Sequence, residues 1–261
     1  MSKLKANWGS FNEEILLNLF VDDQPFIIRK FVENPESLAT WKDVEECCNN
    51  PCSPGYIMHP QRGKVVSNGS EWNFQPNVKD RFDALHNGGG VCLLDYGEHS
   101  EETNELMGFF EDKFNVDAKS FLQIQLDGMP GYGLHCDSRK TMGIFILQID
   151  GSTDWRVYNN RLSGLYDHEG QSHWDLILKN QLGEGVEFGY KKDGRLHDLF
   201  QKRLKLIIED VLNPGDLIYI PHCMYHHAIP NKKRISLSIP CFIRHPEDKP
   251  AVDRRYYRLK L

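Results

Sequence analysis

Two segments constrain the fold of this chain more than any other part of it. They are G-L-H-C-D-S-R-K-T-M-G-I-F-I-L-Q-I-D-G at 133–151 and N-P-G-D-L-I-Y-I-P-H-C-M-Y-H-H-A-I-P at 213–230. Side chains two apart on a strand share a face, so His135 and Asp137 project together while Cys136 points away. In the second segment, Leu217-Ile218-Tyr219-Ile220 reads as a strand, entered by the turn Asn213-Pro214-Gly215-Asp216 and closed by Pro221. His222, His226 and His227 follow it, and His226 stands 91 positions after His135. Two antiparallel strands of one small barrel can close that distance.

Two imidazoles and one carboxylate on one face of a metal leave coordination positions open. Such a set suits a non-haem Fe(II) oxygenase. A lone H-x-D would say little, but its pairing with a Pro-Gly-Asp turn and a downstream histidine is specific.

The remaining pattern predicts a helix over 11–20, a strand over 24–31 and an amphipathic helix over 36–48 begun by Pro35 and Glu36. A Pro- and Gly-rich stretch, 49–77, reads as loop around a short strand at 64–67. Helices over 77–86 and 100–115 flank a strand at 91–95, and Gly88-Gly89-Gly90 punctuates the first turn without the Gly-Lys-Ser/Thr of a phosphate loop. From Ser120 onward strands dominate: 120–127, 132–137, 142–150, 154–158, 204–211, 216–220, 224–229 and 234–243. Closely spaced strands with Gly and Pro turns predict an antiparallel sandwich or barrel. The whole is mainly β with α.

Composition narrows the function classes. A net charge of −6 argues against general affinity for nucleic-acid backbone. No apolar run approaches membrane-spanning length, and Met1 to Trp8 lacks the apolar core of a signal peptide. Seven cysteines without a regular framework predict reduced thiols and a cytoplasmic setting. Cys47, Cys48 and Cys52 could bind zinc only with further ligands such as His59, and thiols packed at a helix end are the expectation.

The two segments resemble the Jumonji C, cupin-type family of Fe(II)- and 2-oxoglutarate-dependent oxygenases. Phe145, Gln148, Gly151 and Trp155 match its F-x-x-Q-x-x-G-x-x-x-W pattern, and Pro214-Gly215-Asp216, Pro221 and His226 match its distal half. The match covers roughly 85–245, and Gln24 to Arg29 resembles the family's opening strand. The resemblance implies a double-stranded β-helix (cupin or jelly-roll) core with N-terminal helices and strands packed on it. It implies one domain over 1–261: an N-terminal α/β part to about 118, a barrel over about 119–245 with an insertion at 159–203, and a short tail over 246–261. It further implies His135, Asp137 and His226 as catalytic metal ligands, Fe(II) as metal, and 2-oxoglutarate and O2 as co-substrates. His226 stands five after Pro221 as in the family, whereas His227 would face the other side of a strand.

One departure bears on co-substrate binding. Many relatives carry Lys or Arg two residues after the glycine, where this chain has Thr153. Its hydroxyl can donate one hydrogen bond, which keeps Thr153 among the co-substrate candidates, but cannot supply the charge that a buried carboxylate needs. Arg234, with Ser236, resembles the R-x-S clamp of other 2-oxoglutarate oxygenases, and Arg139 and Lys140 compete with it. Gln123 and Gln125 share a face opposite Ile124 and Leu126, so Gln123 and the hydroxyl of Tyr132 are further co-substrate candidates. Tyr219 and Trp155 read as core, and Gln148 as an inward contact or a buried structural amide.

The expected activity is hydroxylation of a protein or peptide side chain. The alternatives are hydroxylation of an amino acid, natural-product intermediate or sugar, or a metal-binding cupin protein without turnover. Ribosomal-protein-modifying relatives carry C-terminal dimerisation and winged-helix parts, and only 20 residues follow Cys241, which counts against that subgroup. A homodimer fits the family without being required. The 159–203 insertion, with His168, His173 and His197, reads as a substrate-recognition element rather than a second metal site. Arg254 to Arg258 reads as a solvated tail or docked helix.

Overall fold

The computed structural model describes residues 9, 12–58, 67–68, 71–72, 76–126, 141–161, 205–222 and 224–243. The helices are α1 (Glu13–Val21), α2 (Trp41–Asn49), α3 (Val78–His86) and α4 (Glu101–Phe114). The strands of the first half are β1 (Phe26–Ile28), β2 (Gly55–Met58), β3 (Ser67–Asn68), β4 (Glu71–Trp72), β5 (Gly90–Leu94) and β6 (Val116–Ala118). Those of the second half are β7 (Phe121–Gln125), β8 (Thr141–Asp150), β9 (Thr153–Arg161), β10 (Leu206–Leu212), β11 (Leu217–Pro221), β12 (Met224–Pro230) and β13 (Arg234–Ile243).

The strands form a large antiparallel sheet in the order β1-β11-β8-β13-β7-β5-β2, with β6 also on β13, and a smaller sheet in the order β10-β9-β12. Strands β3 and β4 pair separately. Both faces of β8 are buried, which is why G-I-F-I-L-Q-I is a continuous run rather than an alternating one. Phe145, Leu147 and Ile149 turn outward, where Leu16 and Phe20 of α1 and Leu106, Phe110 and Phe114 of α4 cover them. Ile146 turns inward with Ile218 and Ile220, against Trp155, Val157, Leu212, Met224 and Ala228 of the small sheet. Two sheets facing one another across that inner layer, with helices on the outside of the larger one, make a double-stranded β-helix. The fold is mainly β with α, as the sequence predicts.

Local chemistry moves several boundaries. The helix expected over 36–48 divides into a short 3-10 turn, Pro35–Ser37, and α2. Thr40 is the true N-cap: its hydroxyl accepts the Asp43 N–H, and the Asp43 carboxylate accepts the Thr40 N–H at 2.7 Å. That reciprocal pair outweighs Pro35 as a start signal. Strand β1 is shorter than the 24–31 run, because Lys30 takes φ +49° and turns the chain. Strands β2 and β6 go unforeseen, since three or four residues in turn-rich sequence become strands only through partners, here β5 and β13. Strand β9 runs three residues past the expected end at 158. The strand expected at 132–137, and residues 162–203 of the insertion, lie outside the described residues.

The outer layer centres on Phe145. Its ring lies 4.5 Å from Phe110, 4.7 Å from Tyr219 and 5.3 Å from Phe114, between centroids. Phe145→Ala is expected to cost about 3–5 kcal/mol, because removing one ring leaves a cavity that fixed neighbours cannot fill. Urea unfolding of the variant checks this, and a loss below about 1 kcal/mol would mean that the layer repacks freely.

Candidate active site

Residues that alternate with the outer core necessarily face the barrel interior. On β13, Ile235, Leu237 and Ile239 belong to the outer layer, so Arg234, Ser236 and Ser238 point inward. On β7, Leu122 and Ile124 are outward, which turns Gln123 and Gln125 inward. Cross-strand register groups these residues: Ser236 stands opposite Gln123 on one side and Gln148 on the other, and Arg234 opposite Gln125. The facing sheet contributes Thr153, Trp155 and Val157 of β9, paired with Pro230, Ala228 and His226 of β12.

The interior therefore has two ends. The β8–β9 turn closes one of them. There Gly151 takes φ +72°, and a Cβ would lie 2.1 Å from the Lys233 carbonyl oxygen. Arg234 and Thr153 sit beside this turn. His226, at the level of Val157, lies four residues further along β9 than Thr153, or about 13 Å of strand. The Trp155 ring lies between these levels, 6.0 Å from the His226 ring.

At the closed end Arg234 is fully buried. Its Nε donates to Gln125 Oε1, and its Nη1 donates to Thr153 Oγ1 at 2.9 Å. Thr153 in turn donates to Gln148 Oε1 at 3.0 Å, and Gln148 Nε2 donates to the Asp150 carbonyl at 2.7 Å. These bonds hold the guanidinium in one orientation. At the other end His226 is buried, with Nδ1 2.9 Å from the Met224 carbonyl oxygen. A carbonyl only accepts, so Nδ1 is the donor, and in the neutral ring Nε2 is then the nitrogen with the lone pair, the tautomer a metal ligand requires. Between the ends, Trp155 Nε1, Ser236 Oγ and Ser238 Oγ are buried with no hydrogen-bond partner among the described residues.

The Pro-Gly-Asp motif is structural. Asp216 Oδ2 accepts the Asn213 N–H and the Arg29 guanidinium, at 3.0 and 2.7 Å, while Oδ1 accepts the Lys30 N–H at 3.0 Å. Gly215 takes φ +90°, and a Cβ would stand 2.3 Å from the Val32 carbonyl oxygen. The turn is tied to β8 by Gly215 N to Gln148 O, at 2.9 Å, and Gln148 N to Asp216 O, at 3.0 Å. It thereby sets the register of β11 and the approach of β12.

Of the residues expected at the site, His226, Arg234, Thr153, Ser236 and Gln123 stand on the interior face. His135, Asp137, Tyr132, Lys140 and Arg139 lie outside the described residues. His227 is paired with Arg156 on the opposite face of β12 from His226. His222 is partly exposed after β11. Tyr219 belongs to the outer aromatic layer rather than to the interior. Ser238 went unnoticed in the sequence, although its place two residues beyond Ser236 on an alternating strand was the available signal.

Cys47 and Cys48 are buried at the end of α2. Burial, ahead of nearby charges, raises both thiols to about 11. The neighbouring cation, Arg81, donates to the Cys47, Asn50 and Ser53 carbonyls at 3.1, 2.9 and 2.6 Å and so caps the helix. Among the described residues no three His, Cys, Asp or Glu are grouped as metal ligands.

A family model described as "JmjC domain" matches residues 99–248, more than half of the chain. The chain belongs to the JmjC-domain family. Among solved structures it is similar to the ribosomal oxygenase YcfD of Escherichia coli. Against the complex of YcfD with cobalt and 2-oxoglutarate the identity is 17% and the TM-score 0.58, covering 96% of this chain and 55% of that one. Against its complex with cobalt and succinic acid the values are 14% and 0.56, covering 97% and 66%. This chain thus spans between about half and two thirds of these relatives' length, and at such identities the likeness is one of fold. No curated protein matches the chain.

Exposed Cys52 is expected to react with a thiol reagent at about pH 8, while Cys47, Cys48, Cys92 and Cys241 are labelled only on unfolding. Site-resolved mass spectrometry reads this, and fast labelling of Cys47 or Cys48 would contradict the packing around Arg81.

Proposed function

We propose that the protein is an Fe(II)- and 2-oxoglutarate-dependent oxygenase that hydroxylates a side chain of a protein or peptide. His135, Asp137 and His226 would hold the metal, and Arg234 would grip the distal carboxylate of the co-substrate. The observation that carries this reading is the buried Arg234 at the closed end of the barrel, held by Gln125 and Thr153, on the same interior as His226, whose Nδ1 is bound to the Met224 carbonyl. Family membership agrees with it, as does the cobalt and 2-oxoglutarate complex of YcfD.

The interior fits such a group chemically. An unpaired buried donor costs about 1–3 kcal/mol, so the indole N–H of Trp155 and the hydroxyls of Ser236 and Ser238 favour an oxygen-rich anion lying between Arg234 and His226. The cation at Arg234 offsets the charge of that anion. When bound, Fe(II) and 2-oxoglutarate supply O2 activation coupled to release of succinate and CO2, with one oxygen atom passing to the substrate.

The chain's own part is positional. Met224 holds the His226 ring through Nδ1. Gln125 and Thr153 hold the Arg234 plane. The apolar layer of Ile146, Ile218, Ile220 and Val157 keeps water from the inner half of the barrel. Gln123 lines the interior beside Ser236, and we assign Tyr132 and Lys140 as secondary contacts of the co-substrate. We read the chain as a single domain, since β1, β2 and β5 share one sheet with the barrel strands. We infer a cytoplasmic setting from its cysteine usage. No helix among the described residues is long and apolar enough to cross a membrane.

The test is anaerobic titration with Fe(II) and then 2-oxoglutarate, followed by succinate release in air. His135→Ala and His226→Ala are expected to abolish metal binding and turnover, and Arg234→Met to raise the KM for 2-oxoglutarate at least about 10-fold. Metal binding that 2-oxoglutarate leaves unaffected would reject the oxygenase. Gain of one oxygen atom on a metabolite, with none on peptides, would replace the substrate class.

A further inference from the structure

We propose that Thr153 and Gln148 are positioning residues for the Arg234 guanidinium and do not themselves bind the co-substrate. The inference rests on the reading of Arg234 given above.

Proton accounting decides it. Gln148 donates from Nε2 to the Asp150 carbonyl at 2.7 Å, with the Ile235 carbonyl at 3.4 Å, and carbonyls only accept. The amide orientation is thereby fixed, and Oε1 faces Thr153 at 3.0 Å. Two oxygens at that distance need one proton between them, and only Thr153 has one to give. Arg234 has no acceptor, so at 2.9 Å it donates to the same hydroxyl oxygen. The order of donation runs from Arg234 to Thr153 to Gln148, whose amide is anchored on the main chain of β8 and β13. The one hydroxyl proton of Thr153 is committed to Gln148, and a carboxylate, which only accepts, has nothing to take from it.

Thr153, Gln148 and Arg234 are all fully buried, so water cannot substitute for a lost member. The length of the chain matters as well. A β-branched side chain with a restricted χ1 on β9 meets the amide of β8 across the tight β8–β9 turn. Gln125 fixes the guanidinium at Nε and Thr153 fixes it at Nη1, and two points set its plane. A planar fork held in this way can grip a carboxylate at little further cost in order.

The experiment is calorimetric titration of 2-oxoglutarate into the full-length protein loaded with Co(II), which reads binding without turnover. Arg234→Met is expected to weaken binding about 100-fold, and Thr153→Val and Gln148→Leu each about 10-fold, with Co(II) affinity unchanged. The double variant is expected to bind no more weakly than the poorer single one, because both break the same chain. Thr153→Ser, which keeps the hydroxyl, is expected to stay within about 2-fold.

If Thr153 instead donates to the co-substrate, Gln148→Leu releases its proton, and binding holds or tightens while Thr153→Val weakens it. That pattern overturns the proposal. So does wild-type binding by both Thr153→Val and Gln148→Leu beside a weakened Arg234→Met, an outcome that leaves the clamp intact. Wild-type binding by Arg234→Met removes the clamp reading itself. Thr153→Cys and Gln148→Met carry the same comparison if an apolar variant fails to fold.

Discussion

Burial of the large sheet on both faces is the constraint from which the rest follows. Once Phe145, Leu147, Leu237 and Ile239 are fixed against the helices, a period of two leaves no choice about what points inward. A slip of one residue would put Arg234 and Gln148 into the aromatic layer and Phe145 into the barrel. That exchange would leave a charge and several amides unpaired in an apolar layer, each costing kilocalories. The helical layer is thus what holds a polar interior in register.

The interior is not uniform. Around Ile146 of β8, along β11 and at Trp155 and Val157 of the facing small sheet it is apolar, whereas β7 and β13 line it with Gln123, Gln125, Ser236, Ser238 and Arg234, joined by Gln148 of β8 and Thr153 of β9. A fold stabilised by burial tolerates this row because its amides and guanidinium mostly hydrogen-bond one another. Among the described residues the exceptions include the Ser236 and Ser238 hydroxyls and the Trp155 indole N–H, all on this interior. Unsatisfied groups gathered in one place mark where a protein gives up stability for binding.

Much of this was legible in the sequence, for identifiable reasons. Both-face burial writes itself as a continuous apolar run, and β8 was found within one residue of its start. The Pro-Gly-Asp turn announced β11 because Gly215 needs a positive φ and Asp216 accepts backbone donors. Strands β2 and β6 were invisible because their order comes from partners distant in sequence. The contact between Thr153 and Gln148 was invisible for a related reason. A threonine in place of a cation reads as loss, and the positioning role proposed for it rests on a bond between strands that the sequence does not display. The helix predicted over 36–48 divides because the Thr40–Asp43 capping pair is a stronger start signal than Pro35.

The central claim is that the barrel interior holds an anion between Arg234 and His226. A crystal structure of the protein with Mn(II) and 2-oxoglutarate, grown without O2, tests it most directly. The account predicts metal on His226 Nε2, the distal carboxylate on Arg234 and not on Thr153, and Trp155 Nε1 or a serine hydroxyl of β13 within hydrogen-bonding distance of the ligand. A carboxylate held at another cation, away from Arg234, would contradict it.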